Sequence, residues 1–244
     1  MIIFIVNGGL DMERDAGRER EQDEQFDLGT LVLPGMKVSR QKRSRETTAA
    51  LLRTGAEMLR HRSLDELSIE ALCAAVGATV GAFYSRFDSK EVYFSALLEL
   101  AARDAAAGLA RLSADRELRR AKLPALCEAL VRQIAGWMRL HEGVVRAALQ
   151  QGDPQMKRWS RFKQFGQHTV AAATPALLRL MGPGRRAAKE RAIGFAFQTM
   201  FGTLVNAVLN DPGPVALGTD EINERLTRLL LIQLQLECDP TASG

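Results

Sequence analysis

Hydrophobic residues recur along most of this chain at intervals of three and four, the spacing that lines one face of an α-helix. Leu51, Leu52, Ala56 and Leu59 predict a first amphipathic helix from about Arg45 to His61. Gly55 falls inside it, at about 1 kcal/mol relative to alanine, and its missing side chain suits close helix packing. Ser68 is an N-cap candidate, because its hydroxyl can accept a bond from an N–H one turn on. Ile69, Leu72, Cys73 and Val76 then form a second apolar face, and Gly77 marks a sharp turn where a Cβ would be costly. Thr79 caps a third helix in which Phe83 and Phe87 point inward and Val80, Gly81, Tyr84 and Ser85 do not. Asp88 and Glu91 match a capping box for a fourth helix, which begins near Lys90 and runs on through Leu97, Leu98 and Leu100. A helix as short as the third buries too little to exist for its own stability. Two short helices across a tight turn fit a helix-turn-helix, whose second helix lies in the DNA major groove.

Beyond about Ser113 the pattern changes scale. Long helices are predicted from about Pro124 to His141, from Glu142 to Gln151 and from Pro154 to Met181, the last kinked or split at Pro175. Gly-Pro-Gly at 182–184 ends that run. The next helix, Arg185 to about Leu209, is apolar nearly all round and must be covered on more than one face. A final helix from Thr219 to about Leu236 stacks Ile222, Leu226, Leu229 and Leu230 on one side. The class predicted is all-α: a small three-helix unit followed by a larger helical domain.

Composition changes this picture little. At 244 residues and 46% hydrophobic, the chain has room for both domains. A net charge of +4 is a weak argument for nucleic acid, but its distribution says more. Residues 1–35 carry eight acids against three arginines, whereas 37–45 hold Lys37, Arg40, Lys42, Arg43 and Arg45 with no acid. Such an arm suits phosphate attraction or minor-groove insertion; a solvated linker fits it equally well. Residues 1–35 read as a disordered or mis-annotated extension, and translation is expected to begin at Met36 or Met12. Cys73, Cys127 and Cys238 are scattered and odd in number, which points to reduced thiols in a cytoplasmic protein. No apolar run approaches the ~20 residues of a membrane span, and the opening segment makes a poor signal peptide. His61, His141 and His168 form no Glu-x-x-His pattern, and no nucleophile-elbow, Walker or dinucleotide motif occurs. Neither an enzyme, a cofactor nor a metal is predicted.

The pieces LLRTGAEMLRHRS, LSIEALCAAVGATVGAFYSRF and DSKEVYFSALLEL carry a resemblance. From about Arg45 to Leu98 the chain resembles the DNA-binding domain of TetR-family transcriptional regulators. The most diagnostic run is GATVGAFYSRFDSKE, with Gly77, Gly81, Tyr84, Phe87 and Lys90 in register. The rest is similar only in outline. The resemblance implies a basic arm at 36–44, a helix-turn-helix domain at 45–90, a ligand-binding and dimerisation domain at 91–238 and a disordered tail at 239–244. It implies that Arg45, Ser68, Thr79, Val80, Gly81, Tyr84, Ser85 and Lys90 face DNA. Gly81 would let the backbone approach, Val80 would offer apolar contact to a base, and Tyr84 and Lys90 would bind phosphates. Arg86 is a further candidate donor. In the family the fourth helix connects reader and sensor.

Three positions depart from the family pattern. Glu70 stands where arginine is frequent, Ser63 where glycine is favoured, and Cys73 where alanine is preferred. Cys73 reads as a small buried hydrophobe in preference to a redox thiol. A regulator of this type holds a small molecule in its larger domain, and Trp137, Met138, His141, Trp159, Phe162, Phe165 and His168 are the candidates. Aromatic residues at helical spacing are, however, more often plain core. The last two helices are expected to pair with those of a second copy through Phe197, Phe201, Leu204, Val208, Ile222, Leu226 and Leu229. The function implied is a homodimeric repressor, released from a palindromic double-stranded operator by a small molecule. The competing reading is a dimeric small-molecule-binding protein of the same fold with little specific DNA binding.

Overall fold

The computed structural model describes residues 33–37, 41–150, 157–210 and 215–236. Among these residues lie ten α-helices: α1 Lys42–Met58, α2 Ile69–Ala75, α3 Val80–Tyr84, α4 Lys90–Ala114, α5 Arg116–Arg120, α6 Leu123–Leu140, α7 Glu142–Gln150, α8 Lys157–Leu180, α9 Arg186–Leu209 and α10 Asp220–Leu236. The fold is all-α with an N-terminal helix-turn-helix, as the periodicity predicts. Most of residues 1–35 and the tail 239–244 lie outside the described residues.

Four local expectations are corrected. Pro175 sits inside α8 without splitting it. A short helix, α5, opens at an Asp115 cap that accepts from the N–H groups of Glu117 and Leu118. The first turn of α1 takes in Lys42, Arg43 and Ser44, which were assigned to the arm. The fourth helix is capped by Ser89, whose hydroxyl accepts from Val92 N–H at 3.3 Å. Asp88, expected to be the cap, instead pairs with Lys37 at 3.0 Å.

The described chain divides into two compact units. One holds the residues up to Gly55 together with Leu67–Leu100; the other holds Ala56–Glu66 and everything from Ala101. In the smaller unit Leu51, Leu52, Leu67, Leu72, Phe83, Phe87, Tyr93 and Phe94 are buried. The rings of Phe83, Phe87 and Tyr93 form a triangle with centroids 5.1–5.3 Å apart. Tyr93 donates its phenol to the Leu51 carbonyl at 2.7 Å. A Cβ on Gly55 would lie 1.6 Å from that phenol oxygen, so only glycine lets the ring reach its acceptor. Burial raises the Tyr93 pKa well above its ordinary value of 10.0.

Gly35 and the start of the arm join this unit too. Met36 forms an isolated antiparallel bridge with Phe87. Lys37 N–H donates to the Arg86 carbonyl at 2.8 Å, and Asp88 N–H donates to the Gly35 carbonyl at 3.0 Å. Gly35 takes φ +80°, and its φ is one that L side chains rarely adopt. The end of the supposed extension is therefore built into the exit of α3.

The larger unit buries one apolar cluster drawn from α4 and α6–α10, including Leu130, Ile134, Leu177, Ile193, Met200 and Leu230. Contrary to the sequence reading, α9 has the length and composition of a membrane-crossing helix. Its Ile193, Ala196, Phe197, Met200 and Leu204 are each 0% exposed within this cluster, which accounts for its apolar character. The same burial corrects the expected dimer surface. Phe197, Leu204, Val208, Ile222 and Leu226 are at most 3% exposed and pack inside their own chain. Phe201 and Leu229 are half-buried. An all-round apolar helix gives no cue to which side its own core takes. The outward apolar residues are Phe195, Leu209 and Ile232, at 54%, 39% and 49% exposure.

Candidate nucleic-acid interface

The smaller unit presents α3 on a short, tightly specified scaffold. Ser68 caps α2, and Gly77 at φ +65° makes the turn. Thr79 in extended backbone caps α3, its hydroxyl oxygen accepting from Ala82 N–H at 3.0 Å. Phe83 anchors the helix at 0% exposure. Five residues of helix are thus held by one side-chain cap and one ring, which leaves the opposite face for other work.

On that face Thr79, Gly81, Tyr84 and Ser85 are exposed, and Val80 is half-buried. Tyr84 is 49% exposed and set edge-on against Phe83, their ring centroids 5.3 Å apart. A Cβ on Gly81 would meet nothing in the chain nearer than the Thr79 hydroxyl at 3.8 Å. The fold itself therefore does not need glycine there. Lys90, half-buried, opens α4 beyond Ser89, at a helix N-terminus that favours anions. Arg45 is exposed on α1. The first turn of α1 contains no acid, although Lys42, Arg43 and Arg45 oppose the helix dipole. Lys42 pairs with Glu46 one turn on at 3.9 Å, and a polyanion would accept all three cations.

Two candidates are corrected by their hydrogen bonds. Ser68 accepts from Ala71 N–H and spends its own proton on the Glu70 carboxylate at 2.7 Å. That leaves no O–H for a phosphate and puts a carboxylate beside it. The Ser68 hydroxyl and the Glu70 backbone hold this carboxyl below its ordinary pKa, so the charge persists. Arg86, read as a possible base donor, is turned inward. It donates to Thr48 Oγ1 at 3.1 Å, the Ala82 carbonyl at 2.5 Å, Ser85 Oγ at 3.2 Å and Ser44 Oγ at 3.0 Å. It ties α3 to α1 and positions the face without belonging to it. Its partners on α1 lie about forty positions earlier in the chain, where spacing along the sequence gives no signal.

Cys73 is 1% exposed, and burial, then the Glu70 charge, raises its thiol pKa above 9.0. That environment disfavours the thiolate on which redox chemistry depends.

In the larger unit the proposed effector residues meet, but as packing. Trp137 stacks on Phe165 with centroids 4.4 Å apart and lies 5.4 Å from the His141 ring. Trp137 donates its indole N–H to the Ala101 carbonyl at 2.8 Å. His141 pairs with Asp104 at 2.9 Å, the two side chains 6% and 19% exposed. Met138 is fully buried, and His168 is exposed and apart from the rings. The side chains of Trp159 and Phe162 lie outside the described residues. The sequence reading missed Asp104, whose link to His141 spans 37 positions.

Residues 51–97 match the family model described as "Bacterial regulatory proteins, tetR family". No curated protein matches the chain by sequence. Among solved structures, a tetR-family transcriptional regulator from Streptomyces coelicolor aligns with TM-score 0.57 at 18% identity, over 77% of this chain and 78% of that one. A putative tetR-family regulator from Mesorhizobium loti aligns at 0.55 with 12% identity, over 80% and 98%. NalD, the secondary repressor of the MexAB-OprM multidrug efflux pump in Pseudomonas aeruginosa, aligns at 0.54 with 21% identity, over 80% and 98%. At these identities the structural likeness speaks to fold, and the matched segment is the one that carries the helix-turn-helix.

Proposed function

We propose that the chain is a TetR-family transcriptional regulator that binds its operator through the exposed face of α3. The observation that carries this reading is Gly81, a glycine on an exposed helix face with open space around its missing Cβ. Helices avoid glycine, so the demand for it comes from something outside the chain that approaches the backbone. Thr79 and Ser85 face the bases, Val80 offers an apolar contact to a thymine methyl, and Tyr84, Lys90 and Arg45 meet phosphates. Ser68 and Arg86 are not part of this set.

The protein acts as a cytoplasmic homodimer on a palindromic site, with the two readers about one duplex turn (about 34–36 Å) apart. Its interface uses the outward side of α9, with Phe195, Gly202 and Leu209, together with Ile232 of α10. A Cβ on Gly202 would meet nothing in this chain, which suits a second helix lying close against it. The effector is a small molecule that parts the Trp137–Phe165 stack and takes the His141–Asp104 pair as its polar partner. It releases DNA to the extent that it binds the non-reading state more tightly. The repressor sense follows NalD, which is itself a repressor.

Anisotropy with duplexes that tile the DNA flanking the gene tests this reading, at two salt concentrations. Tight binding to one segment is expected. Tyr84→Phe should weaken it about tenfold, the worth of one hydrogen bond of ~1.4 kcal/mol. Lys90→Ala should also lower the salt slope by about one. Equally weak binding to every duplex, indifferent to both substitutions, would favour the effector-binding protein without an operator.

A further inference from the structure

Arg146, on α7, joins the ends of two helices to which it does not belong. Its Nη1 donates to the Arg60 carbonyl at 2.7 Å, two residues past the end of α1. Its Nε donates to the Val208 carbonyl at 3.2 Å, in the last turn of α9. Its Nη2 pairs with the Glu142 carboxylate one turn back, the two side chains 23% and 20% exposed. Helix C-termini carry unpaired carbonyls and partial negative charge, and cations there are favourable. Neither α1 nor α9 has a basic residue in its own last turn. One guanidinium supplies the missing cation to both. The planar fork suits this task, since its donors point in fixed, diverging directions.

The neighbouring residue shows that the approach is close. A Cβ on Gly143 would fall 2.5 Å from the Leu59 carbonyl carbon and from the Arg60 nitrogen, so α7 lies directly on this main chain. Leu59 and Leu64 on either side are 0% and 3% exposed. Segment Ala56–Glu66, which leads from α1 towards α2, groups with the larger unit, although both helices serve the reader.

We propose that Arg146 is a positioning residue for the exit of α1, a two-ended tie through which that exit and the end of α9 open and close together. Loosening either end then loosens the other. Under the proposed function this links the helix that forms the dimer to the segment from which α2 begins, but the tie itself requires neither DNA nor a second copy.

Hydrogen exchange on the full chain tests it. In Arg146→Met, amides at 59–64 and at 206–210 should both exchange at least tenfold faster, with α6 and α8 unchanged. Arg146→Lys, which keeps the charge and loses the fork, should restore protection at one end only. Leu209→Gly, which frays α9 at an exposed position and leaves Arg146 intact, should speed exchange at 59–64 as well. Faster exchange at 206–210 alone in that variant would overturn the tie, even if Arg146→Met failed to fold. Changes confined to 143–150 in Arg146→Met would overturn it too. Because exchange is the readout, a chain that bound no operator would still show the coupling.

Discussion

Around Gly55 the smaller unit has no space left, and around Gly81 it has nothing but space. The first glycine faces the Tyr93 phenol, and a Cβ there would collide with it at 1.6 Å. The second faces outward from α3, with 3.8 Å to its nearest neighbour. Both stand in helices, which disfavour glycine to a similar degree. Their causes are therefore different. Gly55 answers a demand from inside the fold, the Tyr93–Leu51 hydrogen bond, and Gly81 answers one from outside it. Arg86 and Tyr84 divide the same way, one spending its donors on α1 and α3, the other holding its ring half in solvent.

This contrast can be broken by substitution. The largest effect is expected from Gly55→Val, which displaces the phenol and should cost ~3 kcal/mol or more in denaturant unfolding. Tyr93→Phe in the Gly55→Ala background should recover part of the loss there, since it removes the atom that clashes most. Arg86→Met should cost about 2 kcal/mol of stability, because its bonds to Thr48, Ser44 and the Ala82 carbonyl are internal. A base-reading arginine would instead leave the unfolding midpoint alone and change operator preference.

A smaller effect concerns Glu66, whose carboxyl is held below its ordinary value of 4.5, chiefly by the Ser63 N–H and then by its hydroxyl. A depressed carboxyl contributes stability that is complete above the unfolded pKa and is lost as pH falls through the folded one. Carbon-detected titration should place Glu66 below 4.5 in the native chain, and Ser63→Ala should bring it back up. A Glu66 value unchanged by Ser63→Ala would remove this account of how the chain leaves α1 without the glycine the family favours.

The same contrast explains what was legible in the sequence. Caps, turn glycines and apolar spacing act over a few residues, so Ser68, Gly77, Thr79 and the buried pair Phe83 and Phe87 were readable, as were nearly all the long helices. The exposed positions of α3 followed by subtraction. Arg86 was not readable, because its partners are Ser44 and Thr48, and neither was the Asp104–His141 pair. The α9 face failed for another reason. In a helix apolar on every side, composition cannot tell Phe197, which is in the core, from Phe195, which is not. The aromatic residues of the larger unit share this ambiguity, since a ring that fills a core and a ring that lines a pocket look the same in sequence.

The central claim is that an object outside the chain explains Gly81, and one substitution tests it in two measurements on the same sample. Gly81→Ala should leave the protein as stable or raise its stability by up to about 1 kcal/mol, because the fold has room for the methyl and the helix prefers it. The same variant should lose at least tenfold in affinity for the operator segment, since the methyl stands between backbone and duplex. Unchanged DNA affinity in Gly81→Ala would contradict the account, because the glycine would then serve neither the fold nor the reader.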